Sequence, residues 1–211
     1  MQRLTIFLFW IFSINALLAQ TSWQTEEYFN WDHTNFRGNQ LFHQEFSTAN
    51  PDYLLLDAAI FYLTNEQRSK FGIPILPYHN LLEVAAYNHS MKMATSNFFS
   101  HENPIDASRA STEDRGHLAG VVNPNFAENI AYDYVGDGET YLQIAAKLVD
   151  LWMTSPGHRS NILSKNGKQM GAGAYYLDER IYGTQVFQWF NYVIERPAGG
   201  TDKLPVYPYR Y

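Results

Sequence analysis

The chain has 211 residues, 45% hydrophobic and 17% charged, which is enough apolar surface for a packed domain and too much for a disordered chain. Fifteen Lys and Arg against 21 Asp and Glu give a net charge of −6 and a pI near 5.6. That balance argues against a nucleic-acid binder, which needs a basic face to displace counterions from phosphate. The absence of cysteine excludes a disulfide scaffold, a zinc ribbon, an iron–sulfur centre and a thiol nucleophile.

Met1–Gln20 reads MQRLTIFLFWIFSINALLAQ, with Arg3 as its only charge and an apolar run broken by Thr5, Ser13 and Asn15. The run is short of the roughly 20 apolar residues a membrane span needs, and it ends at the small Ala19 before polar TSWQTEE. Residues 1–19 therefore read as a secretory signal peptide cleaved after Ala19. The expected product is secreted, periplasmic or extracellular, with no stable membrane anchor once the segment is removed.

Residues 20–52 scatter Trp23, Tyr28, Phe29, Trp31, Phe36, Phe42 and Phe46 among polar residues without a period of 3.6 or 2, as in an irregular arm that lays its rings on a domain. Tyr53 to Lys70 contains no Gly or Pro and is followed by Gly72, the pattern of a helix with its terminal glycine. A second helix is expected from Asn80, with Asn80 and Glu83 as a capping box. Phe99 to Glu139 is a long polar stretch, the kind that is either functional or carries short elements of its own. Thr140 and Gln143 form another capping box, followed by Ile144, Leu148, Leu151 and Trp152 on one helical face. Pro156 and Gly157 are read as its stop. Met170 to Leu177 and Ile181 to Val193 then change to a period of 2 and read as a β-hairpin, with Thr184, Val186 and Gln188 opposite Gln185, Phe187 and Trp189. Helices followed by strands give an α+β layered domain over residues 53–195, with a Pro- and Tyr-rich tail over 196–211.

No GxSxG elbow, HExxH helix or phosphate-binding glycine loop is present. Asp133, Asp137 and Gly138 hint at a calcium loop, but Val135 stands at the middle ligand position and the turn reads as solvated. The Asn88-His89-Ser90 sequon falls inside a helix and is set aside. Three clusters remain: Phe98-Phe99-Ser100-His101, Ala127-Glu128-Asn129-Ile130, and Trp152 to Leu163 with Ser155-Pro156-Gly157-His158-Arg159. A histidine and a glutamate flanked by apolar residues can share a proton, bind a metal or simply satisfy one another. The residues alone leave those alternatives open.

In chain order, LTNEQRSKFGIPIL, AAYNHSMKMA, FFSH, AENI, WMTSPGHRSNIL, MGAGAYY and YGTQVF together resemble the CAP superfamily (SCP/TAPS), in its bacterial secreted form. The resemblance implies a three-layer α-β-α sandwich with a cleft that often holds two histidines and two glutamates able to bind a divalent metal. His101 and Glu128 match the first histidine and the first glutamate. The second glutamate is replaced by Ser155 and the second histidine by Tyr182, and a phenol is a poor metal ligand at neutral pH. His158 is the candidate for a third zinc ligand beside His101 and Glu128, since two ligands hold zinc poorly. Asn129, and Gln185 on the strand bordering the cleft, complete the candidate set.

No single activity follows from the fold. The leading expectation is a binding or interaction module for an extracellular small molecule, lipid, glycan or protein. The alternative is a hydrolase, metal-assisted or metal-free, acting as a protease or cell-envelope enzyme. In that version Glu128 serves as general base while His101 binds metal or steadies developing charge.

Overall fold

A computed structural model describes residues 23–205, so the signal-peptide reading over 1–19 and the end of the tail over 206–211 lie outside the described residues. The central sheet has three antiparallel strands, β1 (Phe126–Tyr134), β2 (Gly167–Leu177) and β3 (Arg180–Trp189), in the order β1-β3-β2. Among the described residues five α-helices accompany it: α1 (Tyr53–Lys70), α2 (Asn80–Thr95), α3 (Thr112–Ala119), α4 (Tyr141–Thr154) and α5 (Pro156–Ile162).

The alternation of a β-strand decides what each layer touches. Gly171 and Gly173 of β2 face α2 so closely that an added Cβ would lie 2.1 Å from the Glu83 nitrogen and 2.0 Å from that of Tyr87. Gly183 of β3 faces the other way, where a Cβ would meet Leu148 Cδ1 of α4 at 2.8 Å. With α2 on one face and α1 with α4 on the other, the domain is the expected α-β-α sandwich. Because β3 is central and covered on both sides, Ile181 to Gln188 are all buried, and its polar residues need internal partners. Ser90 Oγ sits 2.8 Å from Thr184 Oγ1, and Gln188 donates to the Asn123 carbonyl.

Local signals explain most boundaries. Asp52 accepts from the Leu55 amide at the start of α1, and Gly72 follows its end at φ +65°. Thr140 and Gln143 form the capping box of α4, as expected. Other expectations are corrected. The cap of α2 is His79, whose Nδ1 accepts from the Leu81 amide, because Glu83 turns inward to two tyrosine hydroxyls instead. Pro156 does not only stop α4. It opens α5, where its fixed φ and missing N–H suit the first helical position. The polar stretch before α4 contains both α3 and β1, and β3 ends at Trp189 rather than Val193.

The aromatic arm docks against α1 and the segment before α2. Trp23, Phe36 and Phe42 are fully buried around Tyr62, and Tyr28 stacks on Tyr78 with ring centroids 3.6 Å apart. Phe29, by contrast, stays exposed. At the other end, residues 196–205 lie against α3: the Asp202 amide donates to the Leu118 carbonyl, and Asp202 pairs with Arg109.

Candidate functional site

The site is built on the edge strand β1, whose alternation sends Glu128 toward the α2 face and Asn129 toward the α4–α5 face. Glu128 is buried, and both of its carboxylate oxygens are engaged. Oε1 lies 2.9 Å from His101 Nδ1, and Oε2 accepts from Arg115 Nη2 at 2.6 Å. The loop that delivers His101 follows α2 and begins with Asn97 in the left-handed region at φ +53°, just past the cap residue Ser96. Arg115 comes from α3, whose start is fixed by the Ser111–Asp114 capping box. Its guanidinium is buried and also donates to the Arg109 carbonyl and to Thr112 Oγ1.

Burial alone would raise the Glu128 carboxyl. The His101 hydrogen bond and the charge of Arg115 outweigh it and hold the group below its usual value, so Glu128 is an anion. An anionic carboxylate accepts only, so His101 donates from Nδ1, and in the neutral ring Nε2 carries the free lone pair. The His101 side chain is 52% exposed, whereas that of Glu128 is 3% exposed. A buried acid therefore aims a half-exposed imidazole outward.

His89 of α2 closes the back of the site. Its Nε2 lies 3.0 Å from the Ser100 carbonyl and 3.9 Å from Glu128 Oε1, and its Nδ1 is buried without a hydrogen bond. Burial pushes its imidazole down to about 4, so it is neutral. Phe99, two residues before His101, packs edge-on to Tyr132 at 5.0 Å, and Tyr132 lies 5.8 Å from the buried Tyr182, so exposed Phe99 and Tyr132 form an aromatic patch that reaches the site through Phe99. Arg180 lies over the rings of Tyr132 and Tyr134.

The sequence-derived candidates do not all converge. Glu128 pairs across the strands with Val186, while Tyr182 pairs with Tyr132, four residues along β3. Tyr182 is buried with Met93, Ala94 and Ile130. Asn129 and Gln185 lie on the opposite face and are fully buried, inside the wall rather than on it. They form an amide ladder there. Asn161 donates to Asn129 Oδ1, Asn129 donates to the His158 carbonyl and to Gln185 Oε1, and Gln185 donates to Thr64 Oγ1. The ladder ties α5, β1, β3 and α1 together. His158 is partly buried; its burial and the neighbouring His101 push its imidazole below the ordinary value. Ser155 precedes α5 without capping it.

The donor set does not fit a resident divalent metal. Arg115 already occupies the second carboxylate oxygen, His89 Nε2 is turned to the Ser100 carbonyl, and among the described residues no group of three or more His, Asp or Glu side chains is placed to hold a metal ion. What remains is a histidine–carboxylate pair able to accept a hydrogen bond or take up a proton at Nε2. The sequence reading missed Arg115 and His89. The Ser111-Thr-Glu-Asp114 capping pattern is the signal that places Arg115 on a helix.

Three comparisons bear on the chain. The model of the CAP family, described as the cysteine-rich secretory protein family, matches residues 61–193, more than half of the chain. The chain is 34% identical over 128 residues to the uncharacterized membrane protein YlbC of Bacillus subtilis, covering 61% of this chain and 33% of that protein. It is 32% identical over 125 residues to the uncharacterized protein YkwD of the same organism, covering 59% of this chain and 44% of that protein. The chain thus spans less than half the length of the curated relatives it matches. Among solved structures, an extracellular protein containing an SCP domain from Bacillus anthracis aligns with a TM-score of 0.51 and 30% identity, over 66% of this chain and 42% of that one. An outer surface protein from Borrelia burgdorferi aligns with a TM-score of 0.54 and 15% identity, over 69% of this chain and 97% of that one, a likeness of fold.

Proposed function

Since the chain belongs to the CAP family of cysteine-rich secretory proteins, we propose that it is an extracellular binding module whose ligand docks where Glu128 holds His101. Secretion is supported by the apolar segment over 1–19 and by the likeness to the extracellular SCP-domain protein of Bacillus anthracis. The observation that carries the binding reading is the His101–Glu128 pair itself: a half-exposed imidazole aimed by a buried carboxylate whose oxygens are both engaged. Exposed Phe99, two residues before His101, and Tyr132, which packs against Phe99, offer ring faces to an apolar surface. An acceptor next to aromatic faces suits a ligand rich in hydroxyl or amide groups, such as a glycan.

The test is cosedimentation of the mature chain with purified peptidoglycan sacculi, beside His101→Ala and Tyr132→Ala. The reading predicts that each variant folds and loses binding by roughly tenfold, about 1.4 kcal/mol. Undiminished binding by both would overturn it.

A second reading, a hydrolase, is favoured by one feature. A histidine oriented by a carboxylate is the base half of a nucleophilic or water-activating site. Among the described residues no hydroxyl is hydrogen-bonded to His101, so water would be the nucleophile and His101, not Glu128, its base. This version predicts soluble fragments released from the same sacculi, and none with His101→Ala.

A further inference from the structure

The family resemblance places a divalent metal at the residues where this chain has buried a guanidinium. We infer that Arg115 is the resident cation of the site, and that the His101–Glu128 pair is a metal-independent acceptor for a hydroxyl or amide donor at His101 Nε2. The choice of ligand rests on the binding reading above, whereas the exclusion of metal stands on its own.

Arg115 cannot easily step aside for a metal. Its Nη2 serves both Glu128 Oε2 at 2.6 Å and Thr112 Oγ1 at 3.1 Å, and its Nη1 donates to the Arg109 carbonyl at 3.2 Å. Arg109 is held in turn by Asp202 of the C-terminal segment, with Nη2 donating to Oδ1 at 2.6 Å. The side chains of Arg115 and Glu128 are 2% and 3% exposed, so the pair is shielded from competing water and salt. A metal bound through Glu128 would set a second positive charge beside this buried guanidinium and compete with it for the carboxylate.

The rest of the family's ligand positions point the same way. Ser155 and Tyr182 replace two of the four, and the strand register puts Tyr182 opposite Tyr132 rather than Glu128. His101 turns Nδ1 inward to the carboxylate, so it offers outward a single nitrogen. Arg115 is thus a positioning residue. It completes the charge of Glu128, and Glu128 fixes the ring and tautomer of His101.

The test is nitrogen-15 NMR of the imidazole rings in the mature chain, without and with zinc, for the parent, Arg115→Met and Arg115→Lys. The parent is expected to carry the His101 proton on Nδ1 at neutral pH and to show no His101 shift with zinc in large excess. Arg115→Met frees Oε2 and should let zinc shift His101, whereas Arg115→Lys keeps the charge and should behave as the parent does. A parent whose His101 signals move with micromolar zinc, or whose proton sits on Nε2, would overturn the inference. If Arg115→Met fails to fold, the parent spectrum still decides. Failure to bind sacculi would count against the ligand reading and leave these spectra unchanged.

Discussion

The Tyr28 hydroxyl donates to Glu83 Oε1 at 2.9 Å and joins the N-terminal arm to the core through a buried carboxylate. Tyr78, stacked on Tyr28, donates to the other oxygen of the same group. Asp57 of α1 is buried nearby, with one oxygen taking the Ala174 amide and the other without a hydrogen-bond partner.

This arrangement gives stability a pH dependence of definite sign. Burial pushes Glu83 up to about 7, only partly offset by the two tyrosine hydrogen bonds, and burial and Glu83 push Asp57 well above its ordinary value. The native state therefore keeps protons that the unfolded chain gives up from the ordinary carboxylate range onward. The associated stability is present below that range and is lost as pH rises through about 7. The melting temperature should fall between about pH 5 and about pH 8. Glu83→Gln should flatten that fall, since Gln keeps one acceptor and cannot ionise. An equal slope in parent and variant would contradict the assignment.

Removing Arg115 alone should cost about 3–5 kcal/mol, because it leaves the Glu128 carboxylate buried without its cation. Glu128→Gln placed on top of Arg115→Met should recover part of that loss. Urea denaturation of the two single variants and the double variant measures the coupling. A coupling below about 0.5 kcal/mol would mean that the two residues act independently.

The sheet contact of α2 depends on small residues. Gly173→Ala should destabilise by about 3 kcal/mol or more, since the new methyl would meet the backbone of Tyr87, which has no rotamer to yield. Gly38→Ala is the control: nothing lies within 4 Å of its added Cβ, and its backbone angles are open to alanine. Thermal melts of the two should differ by several degrees.

The amide ladder predicts a local effect. Asn129→Ala removes the side-chain donor to Gln185 Oε1 and to the His158 carbonyl and leaves the Asn161 amide with the Glu128 carbonyl at 3.3 Å, at a cost of about 1–3 kcal/mol. Hydrogen exchange should quicken across α5 more than across α2.

Much of the architecture was legible because local and tertiary preferences agree. The bounds of α1, the capping box of α4 and the turn between β2 and β3 all follow from signals a few residues long. β1 was not legible, since Glu128, Asn129 and Asp133 interrupt its apolar pattern, and the first two are buried only because Arg115, His101, Gln185 and Asn161 satisfy them. The same reasoning applies to Glu83, which looks like a capping acid in sequence and becomes a core residue through Tyr28, 55 residues away. At the site, FFSH and AENI marked His101 and Glu128, but the cation between α3 and β1 is a tertiary contact that no local pattern encodes.

The central claim is that ligand binding takes place at His101. The most direct measurement is a titration of the mature chain with soluble peptidoglycan fragments, followed by the imidazole resonance of His101 and the ring resonances of Tyr132. Saturable shifts at both, lost in His101→Ala, are the predicted result. Fragment binding that leaves His101 untouched and instead perturbs the exposed Phe190, Tyr192 and Ile194 would contradict the account.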